Sequence, residues 1–352
     1  MTATSPTTRT EIVPFAPEQL GAVAHFAEQV WQRPRSAGFL RWRYLEHPHH
    51  HAYLALRGGE CLAMVTAFRR PYRVGERSLH FSDAFDWYCL PELRRSGLGV
   101  RVLQRLMQDE EPVVVTGGTA DTRGLLPRMR FQVPTTVVRF GLVLGAERAA
   151  DLLARRARLP RALGRLAFTL SRPLLAPRVR GAPKNARVET PATLGAEALA
   201  IDPRPGGRGT APIWTSEYLA WLAAGSPSMG RYLPLCFRVS EVLIGWALLR
   251  IYDGPDGRDS ALLDVRAREP SAALYTWMVS EVAVRAAGFG PGLLTASTSC
   301  PHVEAALRAN HFLVTDPAPI HCFSRDGAAL EAPIVFGAHW GDETILPYPS
   351  GD

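Results

Sequence analysis

The order of apolar and polar residues along the chain predicts alternating strands and helices in two blocks. In the first block, Leu20, Val23, Phe26 and Val30 recur at helical spacing, whereas residues 112–116 are almost wholly apolar, as in a buried strand. The predicted strands of this block are residues 11–15, 53–56, 61–68, 79–90, 112–116 and 132–144, and its predicted helices are 17–31, 97–108 and 122–129.

The second block repeats the order of the first. Its predicted strands are 234–239, 242–252, 261–266, 293–296 and a last one from 312 onward, and its predicted helices are 271–287 and 302–309. Two short patterns recur in register. Phe39-Leu40-Arg41-Trp42 and Tyr218-Leu219-Ala220-Trp221 each end six residues before a proline, and Leu126 and Leu307 each stand five residues before a phenylalanine. Two matched patterns in the same order predict an internal duplication.

A basic connector separates the two blocks. Residues 148–187 contain ten arginines and one lysine against one aspartate, Asp151, with leucines between them. Pro160, Pro173 and Pro177 are expected to break it into short helices. Three interpretations stay open: leucines packed on the domains with solvated arginines, a basic amphipathic segment lying on an anionic membrane, or a contact with an anionic macromolecule or nucleic acid.

Length and composition indicate a globular protein of two domains. The chain has 352 residues, of which 47% are hydrophobic and 21% charged, and its net charge of +7 comes from the connector. The basic balance therefore does not indicate a nucleic-acid-binding fold. No run is long and apolar enough for a transmembrane span, and the polar start is unlike a secretory signal, so a cytoplasmic location is expected. The predicted division is 1–146, a linker 147–188, 189–330 and a tail 331–352.

The five cysteines are widely spaced and contain no CxxC pair. We therefore expect free thiols in a reducing compartment.

The most informative stretch is the turn between strand 79–90 and helix 97–108. It contains Arg94-Arg95-Ser96-Gly97-Leu98-Gly99. Glycines allow a tight bend, and the first amides of a helix together with its dipole form an anion site suited to a diphosphate. Ordinary helix capping would also explain the turn. A dinucleotide fingerprint would need a third glycine where Val102 stands, and a phosphate-binding loop of the Gly-Lys-Ser/Thr type is absent, so NAD and ATP are disfavoured.

With Pro91, Arg94, Gly97 and Gly99 in this position, the stretch resembles the GNAT (Gcn5-related N-acetyltransferase) superfamily, and residues 11–145 follow its order of elements. The resemblance implies two GNAT-like α/β domains, each a twisted mixed sheet flanked by helices, and acetyl-CoA or another acyl-CoA as co-substrate without a metal. The residues implied to contact CoA are Cys89, Leu90, Arg94, Arg95, Ser96, Gly97, Leu98, Gly99, Val100, Thr119 and Thr122.

The second block lacks the glycine pair at the corresponding place, where the sequence reads Val265-Arg266-Ala267-Arg268-Glu269-Pro270-Ser271-Ala272. We interpret it as a degenerate copy that binds no CoA.

The resemblance implies direct attack of an amine on the thioester, assisted by a general base. Asp83 and Asp86 are the candidates, each alternatively a structural aspartate, and their odd separation places them on opposite strand faces unless a bulge intervenes. The family's frequent acidic tyrosine is missing after residues 113–115, and Tyr88 is a weak substitute. The histidines at 47 and 49–51 are interpreted as a solvated turn rather than a metal site.

The leading hypothesis is an N-acyltransferase that acts on a small-molecule or glycan amine. A non-catalytic acyl-CoA sensor and a membrane-peripheral enzyme of envelope polysaccharide assembly, tethered through residues 148–187, are the alternatives. Acceptor segments vary in this superfamily, so the acceptor itself is left open.

Overall fold

The structure is a computed structural model and describes residues 9–31, 35–110, 112–202, 204, 207, 209–225, 229–254, 257–315, 317–325 and 334–335. The first half contains β1 (Glu11–Pro14), α1 (Leu20–Trp31), α2 (Ala37–Tyr44), β2 (His50–Arg57), β3 (Glu60–Val74), β4 (Arg77–Cys89), α3 (Leu98–Asp109), β5 (Val113–Thr116), α4 (Ala120–Leu125) and β6 (Gln132–Val143). The connector forms α5 (Ala146–Ala157) and α6 (Arg161–Leu175). The second half contains β7 (Ala186–Glu189), α7 (Ala196–Leu199), β8 (Thr210–Pro212), α8 (Ser216–Ala223), β9 (Arg231–Val239), β10 (Val242–Gly254), β11 (Gly257–Ala267), α9 (Ala272–Phe289), β12 (Leu293–Thr298), α10 (Pro301–Ala309), β13 (Leu313–Val314) and β14 (Ala318–Phe323).

The strands of the described residues form one continuous mixed sheet of 14 strands. Along it the order is β1-β2-β3-β4-β5-β14-β6-β12-β11-β10-β9-β7, with β8 paired to β3 and β13 to β6. This order is the same from either end, because β7, β9, β10, β11 and β12 take the places of β1 to β5. The fold class predicted from the sequence, two GNAT-like mixed sheets flanked by helices, is confirmed.

The two halves exchange their last strands at the centre of the sheet. β14 belongs to the second half in sequence, yet it pairs with β5 through Cys322 opposite Val114. In return, β6 extends beside β12, where Phe140 lies opposite Ala296. The predicted boundary near residue 146 therefore does not separate two independent sheets, because each half contains a strand supplied by the other.

Helices α2 and α8 join the halves through a symmetric pair of tryptophans. The rings of Trp42 and Trp221 stack with centroids 4.3 Å apart and planes within 3°. The indole of each donates a 3.0 Å hydrogen bond to the backbone carbonyl of the other. Both helices are capped alike, by Ser36 and Thr215, which accept a bond from the amide three residues on. The two tetrapeptides that match in sequence therefore meet across a pseudo-twofold axis.

One long helix of each half packs on the sheet. α3 buries Leu98, Val102, Leu103, Leu106 and Met107, which recur at helical spacing, and α9 takes the corresponding place in the second half. These two helices follow β4 and β11, so each fixes the direction of the turn that precedes it.

The connector differs from the expectation that its leucines pack on the domains. Gly164 of α6 lies against Ala150 of α5, so the two helices form a tight hairpin. Leu163, Leu166 and Leu170 of α6 are nevertheless 51%, 55% and 71% exposed. Pro173 lies inside α6 rather than ending it, which is also contrary to the prediction. Among the helices of the described residues, none is long and apolar enough to cross a membrane.

Candidate functional site

The turn between β4 and α3 has the backbone geometry of an anion site. After a 3-10 helix over Pro91–Ser96, Gly97 adopts a left-handed conformation with φ 75° and opens α3. The first helical hydrogen bond runs from the Arg101 amide to the Gly97 carbonyl at 3.1 Å, so the amides of Gly99 and Val100 precede the helical ladder. They point out of the positive end of the helix dipole.

Space and charge at this turn suit an anionic ligand. A Cβ added to Gly97 would meet nothing within 4 Å. Arg94 and Arg95 are exposed, and neither is paired with a carboxylate of the described residues. The side chain of Ser96 is engaged locally, because its hydroxyl donates to the Leu93 carbonyl at 2.6 Å and accepts from the Leu98 amide at 3.2 Å. Its hydroxyl therefore shapes the turn.

Trp87 forms a hydrogen bond to the turn, and the sequence analysis did not predict this contact. Its indole Nε1 donates a 2.7 Å hydrogen bond to the carbonyl of Gly99. Cys89, on the same side of the strand end, also lies against Gly99, where an added Cβ would be 3.5 Å from the Cβ of Cys89. Burial raises the pKa of the Cys89 thiol, and a hydrogen bond to the Gly99 backbone partly opposes that rise. The available signal was an aromatic residue two positions before a half-buried cysteine on the strand that enters the turn.

β4 and β5 diverge just before the turn. Their parallel pairing covers Ser82 to Ala84 and stops there, although β4 continues to Cys89. The Leu90 amide donates to the Leu62 carbonyl of β3 at 3.0 Å. Because successive amides of a strand point to opposite sides, the Cys89 amide faces the opening between β4 and β5. Of the two residues at this strand end that are implied to contact CoA, Leu90 has its amide occupied, and the amide of Cys89 is directed at the opening.

Thr119 and Thr122 lie beyond the end of β5 on the exposed start of α4. Thr119 caps that helix by accepting a 3.3 Å hydrogen bond from the Thr122 amide. Gly117 and Gly118, both with positive φ, turn the chain from β5 into it. The two threonines therefore border the opening on the side opposite β4.

Asp83 lies on β4 at the point where β4 and β5 part. Its Oδ1 accepts a 2.5 Å hydrogen bond from the hydroxyl of Tyr72, and its Oδ2 is 3.6 Å from Nη1 of Arg70. Oδ2 is buried and accepts no hydrogen bond within the described structure. Burial raises the pKa of Asp83 to about 6, against the opposing effects of Arg70 and Tyr72. One oxygen of this carboxyl group therefore remains available for a proton.

Asp86 occupies a bulge and is held by strong donors. Its φ is 43°, and the register between β3 and β4 shifts at this point. Its Oδ2 accepts hydrogen bonds of 2.9 Å from Nε of Arg43 and 2.8 Å from the hydroxyl of Tyr44. The guanidinium of Arg43 also covers the ring of Phe85 at 4.3 Å, and the ion pair is fully buried. The bulge that the sequence analysis left open thus turns Asp86 towards α2.

Tyr88 packs edge to face on Trp31, with ring centroids 5.4 Å apart. Its role as an acid stays a prediction.

The histidines at 47 and 49–51 do not share a common partner. His47 stacks on Phe68 with centroids 3.7 Å apart, while His49 lies 3.2 Å from a carboxylate oxygen of Glu217. Burial lowers the pKa of His47 to about 2 and that of His50 to about 3, so both imidazoles are neutral at physiological pH. Across the described ranges, no group of three or more metal-ligand side chains comes together.

The corresponding turn of the second half is closed by its own side chains. Ser271 caps α9 by accepting a 3.2 Å bond from the Leu274 amide. Arg266 is paired with Asp264 at 2.7 Å and also donates to the Pro212 carbonyl, while Arg268 donates to the Leu243 carbonyl. In the second half one first-turn amide is capped and both arginines donate to protein acceptors, whereas Arg94 and Arg95 pair with no carboxylate of the described residues.

Comparison with known proteins supports this division of the chain. The family model described as "Acetyltransferase (GNAT) family" matches residues 20–110, which include the turn and α3. No curated protein matches the sequence.

Solved structures match over nearly the whole chain. A probable N-acyltransferase from Enterococcus faecalis aligns with a TM-score of 0.61 at 10% identity, covering 92% of this chain and 74% of that one. An N-myristoyltransferase from Saccharomyces cerevisiae, solved with myristoyl-CoA, aligns at 0.60 and 12% identity, covering 91% and 85%. A tandem GNAT protein from the clavulanic acid biosynthesis pathway aligns at 0.56 and 12% identity, covering 90% and 98%. Residues 20–110 therefore match the GNAT family model, and the whole chain shares its fold with the tandem GNAT protein.

Proposed function

We propose that this chain is an N-acyltransferase that uses acetyl-CoA, or a longer acyl-CoA, bound by the first half. The observation that carries the proposal is the combination of the left-handed turn at Gly97 with the opening between β4 and β5. The turn presents the amides of Gly99 and Val100 beside two exposed arginines, Arg94 and Arg95. Such a constellation is suited to a diphosphate.

The opening next to the turn is suited to the thioester end of the same ligand. The Cys89 amide faces it and would donate to the thioester carbonyl, stabilising the negative charge that develops there. The two glycines at 117 and 118 and the start of α4 border it on the other side. Diphosphate and thioester sites are thus separated only by the end of β4.

Asp83 is the better candidate for the general base. Its Oδ2, which accepts no hydrogen bond within the described structure, and its pKa of about 6 allow it to accept a proton near neutral pH, directly or through a water. The amine nitrogen forms a bond to the carbonyl carbon and loses its proton to Asp83, and the carbon–sulfur bond breaks to release the CoA thiolate. The thiolate takes its proton from solvent in this scheme. Asp86, whose Oδ2 is bound by Arg43 and Tyr44, acts as a structural carboxylate.

The second half contributes structure rather than a second CoA site. Its turn is closed by Ser271 and Arg266, and it supplies β14 to the first sheet. We infer that the second half forms part of the wall around the acceptor amine. The experiment below tests which kind of amine is accepted.

The proposal is tested by a crystal structure with acetyl-CoA, together with thiol release measured over a panel of small-molecule, peptide and glycan amines. We expect the phosphates at the amides of Gly99 and Val100 and the carbonyl at the Cys89 amide. Turnover with at least one amine supports transfer. Acetyl-CoA bound there without turnover on any amine would favour an acyl-CoA sensor, and phosphates found elsewhere would overturn the site.

A further inference from the structure

A large cavity lies in the second half, between the sheet and the connector hairpin. Its volume is about 1170 Å³, and its floor is formed by β6, β11 and β12 and its roof by α5 and α6. Ligand sites in proteins commonly occupy about 300–1,000 Å³, so this space suffices for a long chain. The apolar side chains that line it include Phe140, Leu142, Leu153, Phe168, Phe312 and Leu313.

The cavity lies where the first half has its carboxylate. Asp83 is the middle one of the three β4 residues paired with β5, and Ala261 is the middle one of the three β11 residues paired with β12. Ala261 lines the cavity, together with Thr295 opposite it. The second half has therefore replaced a buried acid by an apolar wall, and the connector helices, which interrupt the duplicated pattern, roof the resulting space.

The charged side chains of the lining are cations. Arg139 and Arg308 both contribute; Arg308 is paired with Glu304 at 2.8 Å, and among the described lining residues themselves there is no carboxylate. The guanidinium of Arg308 lies over the ring of Phe140 at 5.5 Å. That of Arg139 extends towards Gly117, with Nη2 3.7 Å from the position of an added Cβ. This lining complements an anionic group attached to an apolar body.

The apolar surface continues from the mouth of the cavity to the outside. Ala167 lines the cavity and is exposed, and Leu163, Leu166 and Leu170 stand four residues before, one before and three after it. On a helix these positions flank the same face. Leu313, on the opposite rim, also lines the cavity and is 68% exposed. Exposed leucines around the entrance to an apolar cavity mark a contact with an apolar ligand or surface.

From these observations we propose that the second half binds a long aliphatic chain with an anionic end, such as a fatty acid or the equivalent part of a lipid. The chain lies between the sheet and the α5–α6 hairpin, and the anionic end meets Arg139. Apolar cavities exclude water and bind apolar molecules, which gives the binding its driving force. The proposal does not rest on the proposed function.

The test is a titration of the full chain with cis-parinaric acid, a fluorescent fatty acid, and its displacement by palmitate. Ala167→Trp places an indole in the mouth, and Ser297→Trp places one on the floor. We expect each to weaken binding by about tenfold or more, because the indole takes the volume that the chain needs. Thr169→Trp, on the exposed side of the same helix, is the matched control and should bind as the unaltered chain does.

Absence of saturable binding, or equal binding by both plugged variants and the control, would overturn the proposal. Acetyl-CoA binding is measured in parallel and should be unchanged in all three variants, which separates this site from the first.

The source of the chain is distinguished by vesicles of phosphatidylglycerol. Vesicle binding that Leu166→Asp with Leu170→Asp abolishes, while parinarate still binds from solution, supports uptake from a membrane. Parinarate binding without vesicle binding supports a free amphiphile. In both cases the cavity holds the chain.

Discussion

The two turns that follow β4 and β11 are related by duplication, and they differ in almost every feature that decides ligand binding. After β4, a glycine in the left-handed region precedes the helix, and the arginines are exposed. After β11, Ser271 caps the helix, and Arg266 is buried against Asp264. A capping hydroxyl and a bound phosphate compete for the same amides. The second turn has therefore gained stability by filling the positions that the first leaves to a ligand.

The contacts between the two halves, in contrast, are alike on both sides. Trp42 and Trp221 make reciprocal hydrogen bonds, and β6 and β14 are exchanged at the centre of the sheet. Changes in such contacts would disturb both halves at once, because each contact involves an element of both. A change in one turn affects only that turn. The duplicated chain thus diverged where its parts are independent.

The comparison is tested most severely by Gly97→Trp. The side chain would fill the space beside the Gly99 and Val100 amides and strain a φ of 75°, so acetyl-CoA binding should fall below detection, a loss of about 1,000-fold or more. Isothermal titration calorimetry measures the affinity.

Gly58→Trp is the matched control for that variant. Gly58 has a φ of 58° and equally open space, but it lies on the turn between β2 and β3. It should carry the same strain and bind acetyl-CoA normally. Equal losses in both variants, or none in Gly97→Trp, would contradict a ligand site at the first turn.

Most of the strands were predictable because their apolar runs are long. The exchange of β6 and β14 between the halves was not predictable. The run over residues 132–144 indicates a strand but carries no information about which sheet it joins. Its second half pairs with β12 and its first half with β14. Such pairing depends on how all the strands are arranged in the sheet. Helices α2 and α8, each eight residues long, were not predicted, although the repeated tetrapeptides lie on them.

The second-largest effect is expected at the tryptophan pair. Trp42→Ala or Trp221→Ala each removes a buried ring and the one hydrogen bond that its indole donates, so each should lower the free energy of unfolding by about 3 kcal/mol. Because the remaining tryptophan has lost its partner, the double variant should cost much less than the sum. Urea denaturation gives the three values. Additive losses would mean that the two rings do not act as one contact.

The catalytic comparison predicts a loss of rate for Asp83→Asn. Removal of a general base commonly costs about 100-fold or more in kcat, and acetyl-CoA affinity should stay unchanged because Asp83 lies outside the turn. With the amine whose turnover is found, kcat/KM of the unaltered enzyme should fall as pH drops through about 6, where Asp83 becomes protonated and cannot accept a proton.

Asp86→Asn serves as the contrasting variant. It should lower stability, by about 3 kcal/mol, because the buried charge of Arg43 would no longer face a negative charge. If Asp83→Asn retained full rate while Asp86→Asn lost it without unfolding, the two roles would be reversed.

The chemistry of the site was less predictable than its place. Gly97, Gly99 and the arginines are visible in the sequence because a turn needs particular residue types there. Trp87, which donates to Gly99, and the partners of the aspartates come from separate elements, Tyr72 on β3 and Arg43 on α2. Which aspartate keeps a free oxygen depends on the bulge at Asp86, a local shift that spacing alone does not reveal.

The smallest effect should come from the exposed arginines, and it discriminates between the turns most directly. Arg94→Ala and Arg95→Ala should each weaken acetyl-CoA binding about threefold to tenfold at low salt, since exposed charges contribute little individually. The difference from the unaltered chain should shrink at about 1 M salt, where the Debye length falls to about 3 Å. Arg268→Ala, at the second turn, should change neither the affinity nor its salt dependence, because Arg268 donates to the Leu243 carbonyl. A salt-dependent loss in Arg268→Ala would place CoA phosphates at the second turn as well, and the contrast between the two halves would then fail.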